Sequence, residues 1–161
     1  MHKADPKREL LRRTLATLAY RGRKVVTGVG SEFGTFKAHD RIRPPVAILA
    51  HIGDLLDWAA TLVQGNERWQ DSTPSAWNRE VERFFAGLSA LDSLLAQDRP
   101  RACSEERLFQ GPIADALTHV GQIAILRRAA DAPVRGENYF RAEIETGRVG
   151  RDQMQPVREF D

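Results

Sequence analysis

The stretch Pro112-Ile113-Ala114-Asp115-Ala116-Leu117-Thr118-His119-Val120-Gly121-Gln122-Ile123-Ala124-Ile125-Leu126-Arg127-Arg128-Ala129-Ala130 decides the fold. Its apolar residues recur at helical spacing: Ile113, Leu117, Val120 and Ala124 share one side, and Ala116, Ile123 and Leu126 carry apolar character around most of the rest. A helix apolar on nearly all sides is one that other helices bury. One polar stripe crosses it, Asp115, His119 and Gln122, at i, i+4 and i+7. Side chains four apart project next to one another, with their Cβ atoms ~6 Å apart, so Asp115 and His119 can act on one point.

Outward from this stretch, three more segments share the helical period. The first begins at Asp5-Pro6, a cap followed by a residue tolerated in the first turn, and fails near Thr27-Gly28. The second opens at Pro44-Pro45 and reaches Gln64-Gly65. The third opens at Thr73-Pro74 and ends near Asp98-Arg99-Pro100. Residues 28–43 form a long irregular link; its Gly28-Val29-Gly30 lacks the spacing and the preceding strand of a phosphate loop. Ser104 starts a short turn before Gly111-Pro112, which opens the fourth helix. Beyond it, a short helix is expected around Tyr139–Glu145, then an irregular tail. The expected fold is all-α, a four-helix bundle in a single domain over 1–161. Unequal links of 28–43 and 65–73 argue against assuming simple up-and-down connectivity.

The composition is consistent with that reading. The 161 residues are 42% hydrophobic and 29% charged, enough for one core and against global disorder. A net charge of +2 argues against a dedicated nucleic-acid coat. The single cysteine, Cys103, excludes an internal disulfide framework and suits a reducing cytoplasm. The start Met1-His2-Lys3-Ala4 has no apolar core behind it, so no signal peptide is expected, and no membrane span either. Residues 1–24 hold eight basic and two acidic side chains. An anionic partner is one reading of this and a solvated helix face the plainer one.

The second helix supplies the remaining chemistry. On a wheel at about 100° per residue, Ile48, Ile52, Leu55, Ala59 and Leu62 share a face bordered by Trp58. His51 lies within this apolar sector, while Asp54, Asp57 and Thr61 lie opposite. A core-facing imidazole must find a partner, because an unsatisfied buried polar group costs ~1–3 kcal/mol. The partner can be a carbonyl, a carboxylate, a water or a metal. If the two helices are neighbours, His51, Asp115 and His119 form a two-imidazole, one-carboxylate set with positions left open, as in catalytic zinc or non-haem iron sites. Against this stand plainer roles: a satisfied core histidine, a carboxylate in a first helical turn, a solvated stripe.

Thr118-His119-Val120-Gly121-Gln122-Ile123 resembles the His-x-Gly-Gln segment in the last bundle helix of the DinB/YfiT-like family. Ile48-Leu49-Ala50-His51-Ile52-Gly53-Asp54 resembles the segment around the single histidine of that family's second helix. The resemblance covers roughly residues 44–140. It implies a four-helix bundle binding a divalent metal, commonly zinc or nickel, through three histidines. His51 matches the first ligand and His119 the last; the middle histidine is Asp115 here, a shorter, anionic ligand that favours iron or manganese more than histidine does and also admits a site that has lost its metal. It further implies chemistry with a low-molecular-weight thiol, as in thiol-dependent S-transferases and isomerases, with metal-assisted hydrolysis as the other use of an open site. Gln122 and Tyr139 are the candidate cofactor-binding residues, Tyr139 from a C-terminal segment covering one mouth of the bundle. The substrate is an unidentified small molecule and a homodimer is a possible assembly. The competing expectations are a non-enzymatic helical module using its basic first helix, and a degenerate member without metal. Cys103 is read as a packing residue.

Overall fold

Asp5 accepts a hydrogen bond from the Lys7 amide and starts α1 (Pro6–Val26). Pro45 sits in the first turn of α2 (Pro45–Gln64), which stops at Gly65 in the left-handed region, φ 77°, where a Cβ is disfavoured. These two helices follow their sequence signals closely. The computed structural model describes residues 5–161; Lys3 and the rest of the start lie outside the described residues.

The third helix departs from expectation. α3 (Trp77–Ala96) begins three residues after Pro74 and ends before Asp98. Residues 66–75 instead form an irregular link stretched along α2, because they have a distance to cover. The Arg68 amide donates to Thr61, the Ser72 amide to Asp54 and the Ser75 amide to Glu80, so the link runs back along α2. A 20-residue helix is about 30 Å long, a span within the roughly 40 Å reach of 12 stretched residues but not of a helical segment of that length.

The fourth helix is also altered at its start. Ser104 caps a short α4 (Glu105–Leu108), which passes through a wide π-type turn over Phe109–Ile113 into α5 (Ala114–Ala129). Pro112 lies inside that turn rather than opening the helix, and Gly111 leaves helical geometry at φ −92°, ψ −106°. The short helix expected at 139–145 is a 3-10 turn, Tyr139–Arg141, and the 28–43 link holds another, Ser31–Thr35, that buries Phe33. The irregular tail ends in a strand: β2 (Glu159–Phe160) pairs antiparallel with β1 (Gly136–Glu137). The fold is therefore mostly helical with a two-stranded ladder, where strand-free structure was expected.

α1, α2, α3 and α5 pack around one core that includes Leu15, Leu18, Ile52, Phe84, Leu88 and Leu91. α1 packs against α3 and α5, and α2 against the same two, so α1 and α2 are diagonal. Arg12 meets Asp92, and Gly22 lies where a Cβ would come within 2.4 Å of the Phe84 ring, so α1 and α3 are antiparallel and closely crossed. Gly87 faces Leu56 and Arg83 reaches Ala50, so α2 and α3 are parallel. The 27–44 link passes between the diagonal α1 and α2 at one end, and the 65–76 link runs the length of α2, so the connectivity is up-down-down-up. The buried Arg127 of α5 donates to the carbonyls of Lys24, Val25, Thr27 and Ala132, capping the end of α1 with a guanidinium and making α1 and α5 parallel.

α2 is the one helix among the described residues long and apolar enough by composition to cross a membrane, which the sequence reading did not expect. In this fold 61% of its apolar window is buried by the other helices.

Candidate metal centre

Because α2 and α5 are antiparallel neighbours, the apolar sector of α2 that holds His51 faces the polar stripe of α5. His51 and His119 meet edge to face, their centroids 4.8 Å apart. Asp115 reaches both: its oxygens lie 3.4 Å from His119 Nε2 and 3.8 Å from His51 Nε2. One ligand atom from each residue lies within 4.8 Å of the others. His119 is buried, His51 half-buried and Asp115 exposed, so the group is anchored in the core and open on the carboxylate side.

Gln122, one turn beyond His119, completes the arrangement. Its Oε1 lies 2.7 Å from His119 Nδ1. An amide oxygen only accepts, so Nδ1 donates this hydrogen bond and Nε2 is the nitrogen turned towards Asp115. Burial, then the neighbouring His119 and Arg43, hold the His51 pKa below its ordinary value against the opposing pull of Asp115. Two imidazole nitrogens and a carboxylate thus converge on one point. Three ligands at ~2.0–2.2 Å from a tetrahedral ion stand about 3.4 Å apart. The His119–Asp115 edge already has that length, and the His51–Asp115 edge is 3.8 Å. By composition and spacing the donor set fits a divalent cation.

The surroundings were less legible. Trp69 presents its ring edge to face to both His51 and Trp58, at 5.7 Å each. It comes from the extended link, which carries no period to place it. Trp58, which borders the apolar face of α2, lines an open cleft of about 400 Å³ that Asp115 also lines. Behind these residues Arg83 bonds both Asp54 and Asp57 at 2.6 Å. Burial pushes the Asp54 carboxyl up, but the bonds from Ser72 and Arg83 outweigh it and hold it below its usual range. Asp54 was placed on the polar side of α2; Arg83 makes that side an internal ion pair.

Tyr139 is placed elsewhere. It packs edge to face on Tyr20, under the Arg21 guanidinium at 4.0 Å, and so belongs to the α1 side of the tail. The basic side chains of α1 are largely engaged within the chain: Lys7 with Glu106, Arg8 with Asp98, Arg12 with Asp92, Lys24 with Glu137 and Glu159. Cys103 is half-buried between Arg101 and Glu105, and burial, then Glu105, pushes its thiol pKa up.

No family model matches the chain, and neither a curated protein nor a solved structure matches it.

Proposed function

We propose that the protein is a divalent-metal-dependent enzyme of the DinB/YfiT-like type, with His51, Asp115 and His119 as the metal ligands. The convergence of these three side chains from two helices carries the reading. An ion bound there supplies Lewis acidity to a thiol or water that reaches its open side. The chain's own residues do the rest. Gln122 fixes the His119 tautomer, the apolar walls of α2 and α5 exclude water from the histidine side, and the exposed Asp115 marks the side from which a substrate enters. The reaction class is transfer or isomerisation with a low-molecular-weight thiol, or hydrolysis. Zinc or nickel follows from the family resemblance, iron or manganese from the carboxylate.

Engagement of the α1 basic residues within the chain favours a structural role for that helix over the anionic-partner reading. Elemental analysis of protein purified without an affinity tag tests the proposal. About one divalent ion per chain is expected, lost in His51→Ala and in His119→Ala; substoichiometric metal indifferent to both substitutions overturns it. Turnover of electrophiles with a low-molecular-weight thiol, against turnover of esters and amides without one, separates the two reaction classes.

A further inference from the structure

The cleft beside Asp115 adjoins a second of about 520 Å³, and both are walled by Trp58, Gln110 and Gly111. The π-type turn makes this space. Where the chain leaves helical geometry at Gly111, a Cβ would meet nothing within 4 Å. Together the two clefts run from the carboxylate of the metal centre to Arg107 on α4, and 520 Å³ is within the range of small-molecule sites, ~300–1,000 Å³.

The lining divides by chemistry. Leu62, Leu108 and Pro112 give an apolar floor beside the Trp58 indole. That indole is held in place, its Nε1 donating to Glu67 at 3.2 Å while Trp69 meets it edge to face. Glu67 lines the same cleft and takes this bond with one oxygen, keeping its charge. Arg107 is the one cationic side chain lining this cleft, and among the described residues it makes no side-chain hydrogen bond or ion pair, as is true of several other exposed arginines. An exposed guanidinium at the end of an apolar cleft is a ready receptor for an anion.

We propose that this channel is the substrate site, and that it takes a small molecule with a flat apolar body lying on Trp58 and an anionic terminus held by Arg107, the opposite end reaching Asp115. Calling the occupant a substrate rests on the metal-centre reading above; the channel and its selectivity for charge do not.

The probe is the anionic dye 8-anilinonaphthalene-1-sulfonate, compared with its neutral counterpart N-phenyl-1-naphthylamine. Cys103, the chain's one cysteine, lines the channel and locates them: its alkylation by N-ethylmaleimide at mildly alkaline pH is followed with and without dye. Saturating anionic dye should slow alkylation several-fold. Arg107→Gln should weaken the anionic dye about tenfold, the value of one charge-assisted contact, and leave the neutral dye within about twofold. Alkylation indifferent to saturating dye, or equal affinities of the anionic dye for Arg107→Gln and the unsubstituted protein, overturns the proposal. The metal reading fails separately. Metal-free protein that still shows dye protection keeps the channel and loses the centre, and metal-loaded protein without protection does the reverse.

Discussion

His119 shows how one side chain acquires a role from its two nitrogens. Gln122 accepts the hydrogen bond from Nδ1, and Nε2 is left as the nitrogen facing Asp115. Removing such an outer partner typically costs ~10–100-fold in metal affinity, so Gln122→Ala should weaken zinc binding by about that factor with an unchanged circular dichroism spectrum. A chelator-competition titration measures it. The carboxylate makes a second prediction. Asp115→His replaces a hard anionic oxygen by a neutral nitrogen, and should raise zinc and nickel affinity relative to manganese; parallel titrations with the three metals give the ratio.

Among the elements, α5 holds the end of α1 and α3 holds the middle of α2. Arg127 serves four carbonyls through one buried guanidinium. Arg127→Met leaves them without a donor, at a cost of about 3 kcal/mol, read as a lower urea midpoint. The Asp54–Arg83 pair ties α2 to α3 and, through the Ser72 amide, to the extended link. The folded pKa of Asp54 is lowered from 3.8. Its contribution is therefore fully present above that value and lost as pH falls through the folded one. The stability gap between the unsubstituted protein and Asp54→Asn should be open at neutral pH and shrink in acid below 3.8, as urea melts across that range would show.

Across the whole molecule, a buried carboxylate helps fasten the tail, which also buries Ile144 and Val149 in the core. Glu137 accepts from Tyr20 at 2.6 Å and from Lys24 at 2.8 Å, with its side chain fully buried, and β2 brings Glu159 to the same lysine. Burial and the bond to Glu137 push the Tyr20 pKa up. Breaking a buried pair by removing one partner costs about 3–5 kcal/mol. Glu137→Ala should lower the denaturation midpoint accordingly and expose the last residues to limited proteolysis, two readouts that separate loss of the strap from loss of the core.

The sequence by itself determined four helical segments, their caps at Asp5 and Gly65, and the polar stripe of α5, because these depend on residues within four or five positions of one another. It also named the three converging side chains, since a histidine in an apolar sector and a carboxylate four residues from a second histidine are local facts. Only the tertiary structure decided that α2 and α3 run parallel, that residues 66–75 stretch along α2 to place Trp69 on His51, that Arg83 turns the polar side of α2 inward, and that the last residues form a strand against Gly136–Glu137. Such contacts join positions tens of residues apart and leave no period in the chain. Their energy comes from burial that exists only once the helices have packed.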